Sequence, residues 1–527
     1  MSNFTLTKEY IENVLKHSYL GKKGYTIPKS VLSTEDIEFL RKELFVKPIL
    51  PGANFGNIND QNAAFPVYRE NTNKFYLPRF YGIKRYGMPT RSDITTGDDI
   101  SLDFTKSLRD YQENIINVYM KYVNKPICIG NENTGGGGIL EVPCGRGKTV
   151  MALKIISLIK KKTLIIVHKE FLMNQWIERI KEFLSDAKIG KIQGTVFDVE
   201  DKDIVIGMVQ TLYNREYSVD TFSSFGLTII DEVHRIGSEQ FSKTLFKTIT
   251  PYMLGISATV DRKDKLTRVL FMFIGDKIYE EKRESNDPVC VRAIKYISND
   301  SSFNEVDLDY RGTVKYSSMI VKLCAFGPRS DFIVKVLRDL IEEHPENQIM
   351  ILSHNRSLLT YLYEAINHHN IETVGYYIGG MKKEKLEETE SKKIVLATYA
   401  MAAEALDIKS LSTLVMVTPK TDIIQSVGRI LRVKHKNPII VDIVDTHDNF
   451  QKQWFQRRRY YKKCDYKIRM IDSTKYTNMS IDWNNDTTWK RVYEPKNNNV
   501  EELNDDDDDD DENTLQNKKC FIDISKL

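Results

Sequence analysis

From Leu108 onward, short apolar runs alternate with longer amphipathic segments. ILEV, TLIIVH, DIVIGMV, LTIIDEV and YMLGISA are the runs of the first half, separated by stretches such as KEFLMNQWIERIKEFL, whose apolar residues recur at helical spacing. Strands alternating with helices in this way predict a parallel sheet covered by helices on both faces. The alternation pauses at SNDPVCVRAIKYISND, whose period-two pattern predicts an exposed strand in a connector. It resumes with QIMILSH, TVGYYIG, KIVLAT, TLVMVTP and PIIVDIVD. The chain therefore reads as two α/β domains in tandem. Before them, residues 1–100 mix strand-like and helical pieces with the turn signals PGANFGN and YGMPT, and predict a separate small α+β unit. After about Asn478, apolar clusters become sparse. NNNVEELNDDDDDDDEN buries too little surface to offset the entropy of ordering it, so the acidic tail is expected to be largely disordered. The expected boundaries are 1–100, 101–282, a linker at 283–325, 326–477 and the tail at 478–527.

Composition narrows this picture without changing it. A chain of 527 residues, 41% hydrophobic and 28% charged, suits two globular domains and a smaller unit and excludes a fibrous or wholly disordered protein. The formal charge is +3, but the run Asp505 to Asp511 masks a more basic remainder; setting those seven charges aside takes the balance to +10, a modest lean toward a polyanion. The six cysteines, Cys128, Cys144, Cys290, Cys324, Cys464 and Cys520, form no C-x-x-C pair, which favours a reducing compartment and no zinc site. MSNFTLTKEYIENVL is not a signal peptide and no window has the roughly 18 apolar residues of a membrane span, so a soluble intracellular protein is expected.

The chemistry begins at EVPCGRGKT, which follows the strand ILEV and precedes the helix VMALKIISLIKK. In that context, backbone N–H groups of Gly145 to Thr149 would ring a β-phosphate at a helix N-terminus. Lys148 would reach the β- and γ-phosphates, and Thr149 would offer its hydroxyl to Mg²⁺. The general pattern begins with Gly where this chain has Val142, so alone the stretch also reads as a helix cap after a Gly-rich turn. LTIIDEVH, some eighty residues on, ends an apolar strand in two acids. Asp231 is placed to hold Mg²⁺ and Glu232 to polarise an attacking water. The two elements together point to nucleoside triphosphate hydrolysis.

In this order the elements resemble a superfamily 2 DExH helicase or translocase, over roughly residues 105–440. The resemblance implies two tandem RecA-like P-loop domains using ATP and Mg²⁺. In LRDYQ, Arg109 and Gln112 would contact the adenine; in VPCGRGKT, Pro143, Cys144, Gly145, Arg146, Gly147, Lys148 and Thr149 would line the phosphates. DEVH supplies His234, and SAT supplies Ser257 and Thr259, as residues that couple the ATP site to nucleic acid. VLATYAMAAEALDI would bring Thr398 to the nucleic-acid backbone and Asp407 to the ribose, with Ala405 where the family usually has Gly. QSVGRILR would bring Gln425, Arg429 and Arg432 to the γ-phosphate across the cleft. If a helix begins there, the two arginines share one face.

Further nucleic-acid candidates are His168, Lys169 and Gln175, Gln210 and Thr211, and Arg356, expected on the edge opposite the ATP site. His168 and Lys169 also read as solvated loop, and Trp176 reads as core. Two basic-aromatic stretches, KFYLPRFYGIKRYG and QKQWFQRRRYYKKCDYKIR, suit phosphates and stacked bases or, equally, amphipathic elements packed on a core. Within the superfamily, the motifs resemble the branch holding the DNA translocase of the eukaryotic transcription-repair factor, the poxvirus transcript-release helicase and helicases of giant viruses. That branch implies nucleic acid as partner, DNA ahead of RNA, no membrane, the transcription machinery, and a viral setting in host cytoplasm and virion. The alternatives are an RNA helicase, a nucleic-acid-binding module without turnover, and a restriction-type motor.

Overall fold

The computed structural model describes residues 6–48, 64–143, 145–235, 238–262, 264, 266–281, 288–404, 408–431, 435, 437–482 and 486–495. Its first large sheet is built on β1 (Thr134–Glu141), β2 (Thr163–Val167), β3 (Ile204–Met208), β4 (Leu227–Asp231) and β5 (Tyr252–Ser257), ordered β3-β2-β4-β5-β1. All neighbours in this series are parallel. Strands Ile189–Gln193 and Lys277–Glu280 extend it in parallel at either side. β2 and β4 are buried at every residue, as a sheet with helices on both faces requires. The helices that position the site are α1 (Asp110–Val123), α2 (Lys148–Ile159) and α3 (Glu170–Phe183).

The glycine run in TGGGGILE has a packing reason. A Cβ on Gly137 would lie 2.0 Å from the Ile274 carbonyl oxygen, so only glycine lets β1 approach that neighbouring helix end.

The second sheet contains β6 (Cys290–Tyr296), β7 (Gln348–Ser353), β8 (Ile394–Thr398), β9 (Leu411–Met416), β10 (Ile439–Asp445) and β11 (Lys467–Asp472), in the order β8-β7-β9-β10-β6-β11. Every pair in this series of six is parallel. With α4 (Arg356–His368), α5 (Tyr399–Glu404), α6 (Ile424–Ile430) and α7 (Asp448–Lys463), it makes the second of two tandem RecA-like domains. Each sheet has a hydrophobic cluster on both faces.

Two expectations need correction. CVRAIKY is no exposed connector strand: it is β6, buried at six of seven positions between β10 and β11. Its polar alternation survives burial because Arg292 is paired with Glu343 and donates to the Met479 carbonyl at 2.6 Å. The tail does not lose order at Asn478. Met479 and Trp489 are buried, and strand Lys490–Tyr493 pairs antiparallel with β11, while residues 496–527, with the aspartate run, lie outside the described residues. The N-terminal unit has its own sheet and packs on the first domain. Its antiparallel sheet of Tyr19–Gly21, Gly24–Pro28, Lys74–Leu77 and Arg69–Glu70 shares one continuous hydrophobic cluster with a face of the first large sheet.

KFYLPRFYGIKRYG forms the last part of that junction. Phe75, Leu77 and Tyr86 are buried, and the Arg79 guanidinium, 4% exposed, donates to the carbonyls of Thr250 at 3.1 Å and Pro251 at 2.8 Å. QKQWFQRRRYYKKCDYKIR becomes α7 and β11. Phe450, Trp454, Arg457 and Tyr461 face the core, and Lys452, Phe455, Arg459 and Lys463 face solvent. No helix among the described residues is long and apolar enough to cross a membrane.

Candidate ATP and nucleic-acid site

The carboxyl ends of β1, β5 and β4 bring the first group of candidates together. After β1 the chain turns through Gly145 and Gly147, both at φ 83°, and enters α2 at Lys148. A Cβ on Gly147 would stand 2.4 Å from Gln112 Nε2, and the left-handed backbone disfavours other residues independently. Gln112 explains the crowding. Its Oε1 accepts the Arg109 backbone N–H at 3.0 Å and its Nε2 donates to the Arg146 carbonyl at 3.1 Å, which Tyr111 also approaches through its hydroxyl at 3.3 Å. The Arg109–Gln112 segment thus clamps the loop from the side. The Arg109 guanidinium is exposed and donates to the Tyr111 hydroxyl at 3.3 Å. Arg146 pairs with Glu281 and lies 3.8 Å over the Tyr111 ring, a tie that sequence reasoning did not find. Lys148 Nζ donates to the Val142 carbonyl at 3.2 Å, and Pro143 and Thr149 are half-buried. Cys144 lies outside the described residues.

Asp231 closes β4 and is 7% exposed. Burial, with the charge of adjacent Glu232, pushes its carboxyl up to about 7 from an ordinary 3.8; the Trp176 hydrogen bond and Lys148 act against the shift. Trp176, the core residue of α3, donates its indole N–H to Asp231 Oδ2 at 2.9 Å. Glu232 holds φ at +49°, a strained conformation for a residue with a side chain and one found at functional sites. His234, Ser257 and Thr259 meet as a network. Ser257 Oγ is 2.7 Å from His234 Nδ1, 3.4 Å from Glu232 Oε2 and 2.5 Å from the Thr259 carbonyl. With the hydroxyl proton on that carbonyl, His234 is the donor to Ser257. Arg262, also missed in the sequence, donates to the His234 carbonyl at 2.9 Å and is held by Asp264 at 2.6 Å.

The nucleic-acid candidates of this domain follow β2 and β3, at the same carboxyl ends but toward the other margin of the sheet. Gln210 Nε2 donates to the His168 carbonyl at 2.9 Å, Thr211 Oγ1 accepts the Gly194 N–H at 3.0 Å, and Lys169 is the residue that precedes the first turn of α3. In the second domain Arg356 opens α4 and donates to the Gly379 carbonyl at 2.7 Å, and Thr398 closes β8.

Beside them lies an unforeseen residue. Burial and Lys420 pull the His354 imidazole down to about 4, and it sits 3.0 Å from Thr418 Oγ1 and against the Tyr399 ring. Gln425 is half-buried in the first turn of α6. Arg429 lies in the same helix. It is 7% exposed and its Nε donates to the Ala402 carbonyl at 2.7 Å, tying α6 to α5. The helix runs to Ile430; Arg432, Asp407 and Ala405 lie outside the described residues.

These residues fit ATP and Mg²⁺ on chemical grounds. The left-handed glycine turn leads into the N-terminus of a twelve-residue helix, an end that favours an anion, and the buried Asp231 carboxylate beside a second acid is a hard oxygen donor.

The model of the type III restriction enzyme res subunit matches residues 105–262, and that of the helicase conserved C-terminal domain matches 333–434. A protein of Acanthamoeba polyphaga mimivirus, provisionally named ATP-dependent RNA helicase L396, is 34% identical over 479 residues, covering 89% of this chain and 90% of its own. African swine fever virus has a relative, provisionally named ATP-dependent RNA helicase QP509L, at 26% identity over 387 residues, 68% of this chain and 73% of its own. The DNA 3'-5' translocase XPB2 of Sulfurisphaera tokodaii is 27% identical over 388 residues, 64% of this chain and 81% of its own.

Proposed function

Because the chain belongs to the superfamily 2 helicases, which hydrolyse ATP, we propose that it is a nucleic-acid-stimulated motor that tracks along DNA in transcription or repair. The observation that carries this reading is the meeting of the glycine turn, Lys148, Asp231, Glu232 and the Ser257–His234 network at the carboxyl ends of three neighbouring strands. Gly145 to Thr149 bind the phosphates, with Lys148 on the β- and γ-oxygens, and Arg109 and Gln112 orient the base. Thr149 and Asp231 would hold Mg²⁺, which when bound neutralises charge on the phosphates. Glu232 orients the attacking water and takes its proton at the carboxylate. Hydrolysis is coupled to movement through His234, Ser257 and Thr259. Gln425, Arg429 and Arg432 act on the γ-phosphate from the second domain, and Asp407 reaches the ribose. His168, Lys169, Gln210, Thr211, Arg356 and Thr398 hold the nucleic-acid backbone without reading sequence. The viral relatives support a viral setting. The domain division we propose runs through residue 100, to 282, then a second domain that includes β6.

A second reading, an RNA helicase, is favoured by the name of the mimivirus relative at 34% identity. The experiment is the ATPase rate with single-stranded DNA, duplex DNA and RNA supplied in turn at fixed salt. DNA should stimulate most, and RNA alone doing so would move the assignment to the second reading. Lys148→Ala should abolish turnover with the fold intact; a parental rate in that variant would overturn the ATP site.

A further inference from the structure

Trp176 does more than fill the core. Its ring packs in α3 with Leu172, Met173, Ile180 and Phe183, and any large apolar side chain would serve that purpose. Yet its one polar atom, 1% exposed with the rest of the residue, donates to Oδ2 of Asp231 at 2.9 Å. A buried indole N–H needs an acceptor, and a buried carboxylate needs donors; this contact satisfies both at once. It also restrains the rotation of the carboxylate about its χ2 by committing Oδ2 to the indole. Second, α3 follows directly on β2 and on His168 and Lys169, and Gln175 is the residue before Trp176. β2 and β4 are neighbours in the sheet, so the indole spans the seam between the margin carrying the nucleic-acid candidates and the one carrying the ATP candidates.

We propose that Trp176 is a positioning residue: its indole N–H orients Asp231 for Mg²⁺ and joins the nucleic-acid-contacting segment of α3 to the metal site by a single hydrogen bond. This rests on the reading of Asp231 as a metal ligand. Partners that orient metal ligands typically change metal affinity by about 10- to 100-fold when removed. A helix shifted by nucleic acid would move this donor, so binding on one margin alters how the carboxylate meets the metal on the other.

The test is Trp176→Phe, which keeps a ring and loses the N–H, beside Asp231→Asn and the packing control Met173→Leu. Binding of a fluorescent non-hydrolysable ATP analogue is titrated with Mg²⁺, and thermal melting reports the fold. Trp176→Phe should raise the Mg²⁺ midpoint about 10-fold, with binding restored at saturating Mg²⁺ and nucleic-acid stimulation of the ATPase reduced. Met173→Leu should leave the midpoint alone. A parental midpoint in Trp176→Phe, with a raised one in Asp231→Asn, overturns the inference and spares the metal site; a parental midpoint in both overturns the metal site as well. Should Trp176→Phe not fold, the intact chain with ¹⁵N-labelled tryptophan decides. At least one of its four indole N–H signals should shift when Mg²⁺ is added to the analogue complex, and four unmoved signals contradict the inference.

Discussion

Asp231 and Asp445 occupy equivalent places, each the last residue of a buried parallel strand, one in each domain. Their surroundings differ. Asp445 is fully buried and gripped by Arg329, itself fully buried, with Nε to Oδ1 at 2.6 Å and Nη2 to Oδ2 at 2.8 Å. Three residues earlier, Asp442 is held the same way by Arg457 at 2.7 and 2.9 Å, with the Tyr461 hydroxyl at 3.0 Å. Asp231 instead accepts a neutral indole N–H and is followed by a second acid, and burial with that neighbour pushes its carboxyl up to about 7. A guanidinium that compensates a carboxylate inside the fold turns it into a structural joint. A buried carboxylate not compensated by a guanidinium can serve an external cation, and in this the two strand ends differ.

The comparison breaks most visibly if the second domain contributes nothing to catalysis. Arg432→Ala should lower turnover by about 10³- to 10⁵-fold, the range for an arginine that meets charge growing in phosphoryl transfer, while nucleotide affinity falls far less. Near-parental ATPase, still stimulated by nucleic acid, would leave the second domain as a scaffold.

A smaller effect concerns charge outside the cores. α7 turns Lys452, Arg459 and Lys463, with Phe455, to solvent on the face opposite Trp454 and Tyr461. Removing residues 500–527, with the aspartate run, should tighten nucleic-acid binding a few-fold at low salt. Screening should erase the gain at high salt. Unchanged affinity at both salts leaves the run a solubilising role only.

Much of this was legible in the chain. The apolar runs named the sheet strands because a strand covered on both faces has nowhere to place a polar residue, and GRGKT and DEVH announced their chemistry because only a few residue types perform it. β6 was misread because Arg292 mimics a solvent-facing position, and the ion pair that makes its burial tolerable lies 51 residues away. The N-terminal basic-aromatic stretch stood equally for surface or core for the same reason, since Arg79 finds its acceptors in a loop 171 and 172 residues on. Trp176 read correctly as core, but its bond to Asp231 joins residues 55 apart and leaves no local signature. Arg429 shows the converse: a motif arginine held, in this structure, by a carbonyl of its own domain.

The most direct measurement sets Asp231→Asn beside Asp445→Asn, each scored for ATPase rate and for melting without Mg²⁺ at pH 5 and pH 8. A carboxyl whose folded pKa is raised stabilises the fold below its unfolded value, and that contribution is lost as pH rises from 3.8 toward about 7. Asp231→Asn should therefore abolish turnover and melt at or above the parent at pH 8, with the difference shrinking toward pH 5. Asp445→Asn should melt well below the parent at both pH values, since breaking a buried pair costs about 3–5 kcal/mol, and keep its turnover below that melting point. An Asp231→Asn variant that unfolds early, or that hydrolyses ATP at the parental rate, would contradict the assignment of Asp231 as the carboxylate left for the metal.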